Sequence, residues 1–190
     1  MKISEKILSY TIEIFDDPAF SINSTDNKIK YDMVVECENE ATSKHGIIIR
    51  DQDKIVKSLI ILSSAGGTGI HKNAYIIEEN DILLCVGDCV YKISIPELDI
   101  AWKTKVDDST AFEIYRYKSD FIIHGELSIT KINNDGKISW QEYGSDIFVT
   151  ESGKDNFEIR DDLIYAKSWD GRKYCFDSDG KDHLRSGNSS

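Results

Sequence analysis

Residues 81–95 read Asp-Ile-Leu-Leu-Cys-Val-Gly-Asp-Cys-Val-Tyr-Lys-Ile-Ser-Ile, and this stretch decides the fold. Two runs of apolar and β-branched residues flank Gly87-Asp88, a pair that favours a two-residue hairpin turn because glycine readily adopts positive φ angles. Residues 74–77 have the composition of a strand before this hairpin, and residues 99–103 have that of a strand after it. Together they predict one antiparallel unit of four consecutive strands.

The same plan recurs twice further along the chain. The predicted strands of the second and third copies are 112–115, 120–124, 127–132 and 137–140, then 157–160, 162–166, 173–176 and a short strand toward Leu184. Asp81, Asp120 and Asp162 each open the second strand of a copy, at spacings of 39 and 42 residues. A four-stranded unit that repeats at roughly 40 residues is typical of a propeller blade.

A turn followed by a tryptophan marks two of the copies. Trp102 and Trp140 occupy matching places in their fourth strands, and Leu184 is their counterpart in the third copy. Residues 73–184 thereby resemble the repeats of quinoprotein-like (PQQ/WD40-type) β-propellers, in which a fourth-strand tryptophan packs between adjacent blades. The resemblance implies the same packing for Trp102 and Trp140. No cofactor is predicted, because no residue of the quinoprotein cofactor pocket can be matched.

The predicted fold class is therefore all-β: a propeller-like array of about four four-stranded antiparallel units, either an open arc or a small four-bladed propeller. One domain is expected over residues 1–190, divided into a degenerate first unit (1–72), three repeat units (73–105, 106–143 and 144–185) and a disordered tail (186–190). Strands of the first unit are predicted at 7–15, 30–36, 46–50 and 55–62. No segment predicts a helix.

The net charge of the chain favours some classes of binding partner over others. The 190 residues carry a net charge of −11, without any run of Lys or Arg. Such a surface repels phosphate backbones, so no nucleic acid is expected, whereas a basic protein surface or a metal cation suits it. Solubility alone is the simpler interpretation of the charge.

The sequence predicts a cytoplasmic protein with free thiols. The sequence shows no secretion signal and no stretch long enough to span a bilayer, so no membrane contact is expected. The four cysteines fit no zinc-binding spacing and are expected to be free, mostly buried thiols: Cys37, Cys85, Cys89 and Cys175.

Two loops contain the histidines that are candidate binding residues. His124-Gly125-Glu126 is predicted at a hairpin tip, where His124 and Glu126 could share a proton or a metal ion, although a surface hydrogen bond is the simpler interpretation. His71 ends the glycine-rich stretch 63–71. That stretch could cradle a phosphate, but no helix follows it, and a flexible linker between units is the main interpretation.

The remaining candidates are Trp169 and the acidic loops. Trp169 breaks the repeat pattern just before a hairpin turn and is a candidate contact residue in a protein interface. Asp107-Asp108 and Asp161-Asp162 are acidic pairs between strands, and loop aspartates of this kind usually cap turns. No EF-hand spacing and no nucleophile-elbow motif accompanies them, so no metal site is predicted.

Two functions stay open on these grounds. The first is a non-catalytic protein-binding module of unknown process, with another protein, possibly basic, as its partner; a bacterial immunity-type protein that neutralises a toxin is one specific form. The second is a hydrolase or metal-dependent enzyme that uses His124, Glu126 and loop aspartates. The lack of a recognisable catalytic constellation favours the first, and the sequence leaves the oligomeric state open.

Overall fold

The computed structural model describes residues 2–7, 9–78, 80–151, 153 and 155–184, and all regular structure in this part of the chain is β-strand. The predicted all-β class is confirmed; the tail predicted at 186–190 lies outside the described residues. No helix among those residues has the length and apolar character needed to cross a lipid bilayer. The strands are β1 (Lys2–Ile7), β2 (Tyr10–Asp16), β3 (Met33–Val35), β4 (Ser43–Asp51), β5 (Lys54–Ser63), β6 (Tyr75–Ile77), β7 (Asp81–Val86), β8 (Cys89–Ser94), β9 (Ile100–Lys105), β10 (Ala111–Tyr117), β11 (Asp120–Gly125), β12 (Ser128–Ile132), β13 (Ile138–Tyr143), β14 (Phe157–Arg160), β15 (Leu163–Lys167) and β16 (Lys173–Phe176).

These strands form four separate sheets. Sheet I has the order β1-β2-β4-β5-β3, sheet II β6-β7-β8-β9, sheet III β10-β11-β12-β13 and sheet IV β14-β15-β16. Neighbouring strands are antiparallel except for β3, which runs parallel to β5. None of these sheets closes into a barrel within the described chain. The arrangement is consistent with the propeller-like array that the repeats predict.

Side-chain alternation lets each inner sheet pack on both sides. In β7, Ile82 and Leu84 pack toward sheet I, whereas Leu83 and Cys85 pack toward sheet III. Three apolar clusters join sheets I and II, II and III, and III and IV. None of the clusters found among the described residues joins sheet I to sheet IV, so the sheets are connected in series.

The outer face of sheet I is covered by its own chain. Phe20 packs on Ile60 and Leu62 of β5, and the ring of Tyr31 meets the ring of Phe20 edge-on at 5.4 Å. The Tyr31 hydroxyl donates a hydrogen bond to Asp17 Oδ2 at 2.9 Å. The segment between β2 and β4 therefore caps this end of the series, as terminal units of repeat arrays commonly do.

Trp102 and Trp140 make the same contact with the next sheet. The indole N–H of Trp102 donates to Asn134 O at 3.2 Å, and that of Trp140 donates to Ser178 O at 3.0 Å. Each indole thus binds the turn before the fourth strand of the following unit. The packing expected for both residues is confirmed, while the family resemblance stays a prediction.

Leu184 is left without such a neighbour. It is 56% exposed, and no further sheet of the described residues follows sheet IV. The fourth strand of this unit is reduced, among the described residues, to one bridge between Phe176 and Asp182. Position 184 therefore keeps the place of the tryptophans but not their burial.

The turns under the two indoles end in glycines with positive φ angles. The φ of Gly136 is 78° and that of Gly180 is 82°. A Cβ added to Gly136 would lie 2.6 Å from Cδ2 of Trp102. Glycine is therefore needed here for its conformation and for the close approach of the ring.

Gly136→Ala tests that contact. The variant is expected to lose about 3 kcal/mol of unfolding free energy, from the positive φ and from displacement of the Trp102 ring. Gly171→Ala is the matched control, because its φ is 84° but nothing lies within 4 Å of its added Cβ. The control is expected to lose about 1 kcal/mol. Equal losses in urea denaturation would contradict the role of the indole.

The third copy starts one residue later than the predicted spacing. Asp120 is the first residue of β11, and the next residue, Phe121, faces the preceding sheet. In the third copy Ile164 has that place, so Leu163, not Asp162, is the counterpart of Asp120. Asp162 lies in the preceding turn with a φ of 61°. The short polar side chain tolerates this conformation, which explains an aspartate at a similar but not equivalent position.

Candidate functional site

The hairpin tips and the linkers between sheets lie together at one end of the series, called here the loop end. Tip II is Gly87-Asp88, tip III is Glu126-Leu127 and tip IV is 168–172. The linkers are 64–74, 106–110 and 144–156. Tip II joins β7 to β8, and Cys89 next to it pairs with Lys105, the last residue of β9. Tip II and the linker that follows β9 therefore lie at the same end of sheet II.

Main-chain N–H groups connect tips and linkers in alternation. One N–H of each tip donates to the preceding linker, and the N–H groups of Ala111, the first residue of β10, and Phe148 donate to the carbonyls of tips II and III. The bonds are Gly87 N–H to Thr68 Oγ1 (3.1 Å), Ala111 N–H to Gly87 O (2.7 Å), Glu126 N–H to Thr110 O (2.8 Å), Phe148 N–H to Glu126 O (2.7 Å) and Trp169 N–H to Ile147 O (2.8 Å). This ladder of hydrogen bonds reaches from sheet I to tip IV.

Asp107 fixes the middle of the ladder. Its carboxylate is buried and accepts five hydrogen bonds. Oδ1 accepts the N–H groups of Ser109 (2.7 Å) and Thr110 (3.1 Å), and Oδ2 accepts those of Leu127 (3.0 Å) and Ser128 (2.8 Å) as well as the Ser128 hydroxyl (2.9 Å). The predicted turn-capping role is confirmed for this aspartate, which also joins the linker to tip III.

The glycine-rich stretch 63–71 is held by the protein itself. Four of its N–H groups donate to protein oxygens: Ala65 to Ser63 Oγ, Gly66 to Ser109 O, Thr68 to Ser43 Oγ and Ile70 to Asp16 Oδ1. A phosphate cradle needs such N–H groups directed at the ligand. The stretch is therefore a linker, as expected, but one fastened to both neighbouring sheets instead of a flexible one.

His45, which no sequence pattern singled out, anchors this linker. It is 1% exposed, with Nε2 2.8 Å from Thr68 Oγ1 and Nδ1 2.9 Å from Asp16 Oδ1. Burial lowers the pKa of His45, and the Asp16 carboxylate opposes that shift. Thr68 Oγ1 also accepts the Gly87 N–H and bonds Ser43 Oγ. The hydroxyl in this Asp-His-Thr chain is thus fully bonded, as in a structural junction rather than a nucleophile.

His124 lies inside β11 and not at a hairpin tip, so the predicted surface position is wrong. It is 2% exposed, and Nδ1 lies 2.9 Å from Glu113 Oε2 while Nε2 lies 2.9 Å from the carbonyl oxygen of Phe148. The imidazole stacks on the ring of Phe157 at 4.8 Å with an interplanar angle of 12°. Asn156 Nδ2 lies 3.4 Å from Nε2 as well, so both nitrogens of His124 are held by protein atoms.

Glu113 is the acidic partner of His124. Tyr115 OH donates to its Oε2 at 2.8 Å, and Asn73 Nδ2 donates to its Oε1 at 3.2 Å. Burial raises the pKa of Glu113, but the hydrogen bonds from His124, Tyr115 and Asn73 outweigh burial and lower it to about 2. The Glu113 carboxylate and the His124 imidazole therefore face each other between sheets III and IV.

The structure brings His71 and His124 together but separates Glu126 from them. His71, Phe112, Glu113 and His124 are among the residues that line one cavity of about 280 Å³. Glu126 accepts the hydroxyls of Ser109 and Thr110 instead, at 2.7 and 2.8 Å. No three His, Cys, Asp or Glu side chains of the described residues converge as metal ligands would.

Trp169 stands exposed on a well-bonded tip. Its side chain is 55% exposed, although its N–H is bonded to the linker. The neighbouring Asp170 accepts the Ser168 hydroxyl at 2.5 Å, the Arg172 N–H at 3.1 Å and the Ser145 hydroxyl at 2.7 Å. These bonds fix the backbone of tip IV against the linker 144–156.

Two further side chains extend the exposed surface at tip IV. Tyr143 is 51% exposed. It lines a shallow cavity of about 130 Å³ together with Arg172 and Tyr174. The base of tip IV therefore presents the exposed ring of Tyr143 and the side chain of Arg172.

Comparison with known proteins adds no function to this geometry. No protein-family model and no curated protein matches the sequence.

Proposed function

We propose that this chain is a non-catalytic protein-binding module whose contact surface is centred on Trp169. The observation that carries the proposal is the 55% exposure of this indole on a tip whose backbone is fixed by hydrogen bonds. A large aromatic side chain on a fixed backbone loses little conformational entropy when a partner covers it. Such residues dominate the binding energy of protein interfaces.

The surroundings of Trp169 support a protein partner. Tyr143 and Arg172 belong, with tryptophan, to the residue types enriched in interface hot spots. Asp146 and Asp170 are exposed carboxylates on the same tip and linker. Together with the net charge of −11, they favour a partner with a basic surface.

The histidines give the enzymatic alternative no comparable support. A general base must reach the proton that it abstracts, whereas the His124 imidazole is 2% exposed and both of its nitrogens contact protein oxygens. Glu126, the second residue of that hypothesis, is bonded to Ser109 and Thr110 elsewhere at the loop end. The geometry therefore offers no acid–base pair in the place that the sequence suggested.

Trp169→Ala is expected to weaken partner binding by about 30-fold, which corresponds to about 2 kcal/mol, and to change the unfolding free energy by less than about 0.5 kcal/mol. The partner is first captured from native lysate on the immobilised chain and identified by mass spectrometry. Its affinity is then measured by calorimetry with purified proteins.

Ile55→Ala is the matched control for the loss of exposed apolar surface. Ile55 is 50% exposed at the hairpin of β4 and β5, away from tip IV. This variant is expected to bind as the unmodified chain does. Retention of full affinity by Trp169→Ala, or the absence of any stoichiometric partner, would reject the proposal.

A further inference from the structure

The cavity that His71 and His124 share lies close to tip IV. Ile147 O accepts the Trp169 N–H at 2.8 Å, and Val149, two residues further along the same linker, lines the cavity. The Cα atoms of residues two apart in a chain are separated by at most about 8 Å, because consecutive Cα atoms are about 3.8 Å apart. One partner that contacts tip IV can therefore reach the cavity as well.

Glu113 gives this cavity a negative charge. Its side chain is 23% exposed and lines the cavity. Oε2 accepts the Tyr115 hydroxyl and faces His124 Nδ1, whereas Oε1 accepts only the side-chain amide of Asn73 in the described part of the chain. Burial raises the pKa of Glu113, but these hydrogen bonds outweigh burial and lower it to about 2. The ionised carboxylate thus keeps acceptor capacity at Oε1 for an N–H of a bound cation.

Aromatic rings surround that carboxylate. Phe112 lines the cavity, and its ring meets the His124 imidazole edge-on at 5.9 Å. The imidazole stacks on Phe157, which stacks on Tyr115 at 5.0 Å. Aromatic rings attract cations, and a guanidinium stacks on them better than an ammonium because it is planar and more weakly hydrated. A carboxylate beside aromatic rings therefore favours arginine over lysine.

The size of the cavity suits a single side chain. Its volume of about 280 Å³ lies just below the range of about 300–1,000 Å³ that is usual for pockets that hold whole small molecules. We infer that the protein partner inserts an arginine side chain here, with its guanidinium bonded to Glu113 and packed on Phe112. This inference rests on the proposed protein-binding function and specifies the chemistry of the partner. The net charge of −11 attracts such a basic surface to the loop end.

The probe is N-acetyl-arginine N-methylamide, and the control is the citrulline compound of the same shape, which has no charge. Each is titrated at constant ionic strength into the full chain with isotope-labelled histidines, and the ring signals are followed by NMR. The arginine compound is expected to shift His71 and His124 with a Kd on the order of 10 mM, and the citrulline compound to bind about 10-fold more weakly. His45 and His183, which do not line the cavity, are internal controls whose signals should stay unchanged.

Glu113→Gln keeps the size of the side chain and removes its charge. This variant is expected to lose the preference for arginine over citrulline, whereas Glu158→Gln, at an exposed position on β14, should keep it. Unchanged signals of His45 and His183 show that each variant is folded. If Glu113→Gln does not fold, the comparison of the two compounds on the unmodified chain decides the inference.

Equal affinity of the two compounds for the unmodified chain would overturn the inference. So would the absence of any shift of His71 and His124 at about 100 mM arginine compound. A complex with the captured partner in which these two signals stay unchanged would also overturn it, because the cavity would then take a free guanidinium compound and not a side chain of the partner. The proposed function is judged separately by Trp169→Ala. Loss of the captured partner in that variant, combined with any of these three results, leaves protein binding standing and rejects only the arginine site.

Discussion

Replacement of Asp107 by alanine is expected to lower the unfolding free energy by about 4 kcal/mol, a loss large enough to threaten folding of the domain. The carboxylate is 1% exposed and accepts five hydrogen bonds from the linker and tip III. Its removal leaves buried N–H groups without acceptors, and each such group costs about 1–3 kcal/mol when water cannot reach it. Because the linker and the tip can relax, the total is smaller than the sum.

Asp108→Ala is the neighbouring control. Asp108 is exposed and bonds only the equally exposed side chains of Tyr143 and Lys105 among the described residues. Its replacement is expected to change the unfolding free energy by less than about 0.5 kcal/mol. Urea denaturation followed by tryptophan fluorescence measures both variants. A loss below about 1 kcal/mol for Asp107→Ala would show that the five bonds do not hold the loop end together.

The second large effect is a loss of stability in acid that depends on Glu113. The pKa of this carboxyl is about 2 in the folded chain against an ordinary value of 4.5. A carboxyl group whose pKa is lower in the folded chain than in the unfolded chain stabilises the folded state at pH values above its unfolded pKa. This stabilisation is lost as the pH falls through the folded pKa. The shift corresponds to about 3 kcal/mol, present above about pH 4.5 and lost progressively toward pH 2 and below.

Glu113→Gln separates this contribution from that of the other carboxylates. At pH 7 the variant is expected to lose about 3 kcal/mol, because the groups that bond this carboxylate, on His124, Tyr115 and Asn73, then lose their charged partner. The difference from the unmodified chain should shrink as the pH is lowered to 2. Glu158→Gln, an exposed position on β14, controls for the change in net charge. A difference that stays constant between pH 7 and pH 2 would contradict the assignment.

Local chemistry explains why the repeat units were visible in the sequence. A hairpin such as Gly87-Asp88 is specified by its own two residues and the flanking β-branched runs. Trp102 and Trp140 could be matched because each follows a turn whose glycine must stay glycine. These features depend on neighbours in the chain, and such neighbours can be read without knowing which sheets meet.

The candidate histidine site depends on contacts that the sequence does not display. His124 and Glu113 lie 11 residues apart in adjacent strands, and the β-bulge between Ala111 and Glu113 sets the register that pairs them. His124 Nε2 then bonds a carbonyl of the next linker. Glu126, two residues from His124, pointed to the wrong partner because spacing within one strand says nothing about cross-strand pairing.

The end unit was also harder to anticipate than the inner ones. Trp169 could be recognised as an exception to the repeat, but its 55% exposure depends on how tip IV packs against the rest of the chain, which the sequence does not display.

Series connection of the sheets has a thermodynamic consequence for binding. In a linear array the stability of each unit is the sum of its own folding term and one coupling term per neighbour. Among the described sheets, sheet IV has a single coupling, so it opens locally at a lower free-energy cost than it would with a second neighbour such as sheets II and III have. A partner that binds at tip IV supplies the second coupling, and its chemical potential then sets how often the terminal unit opens.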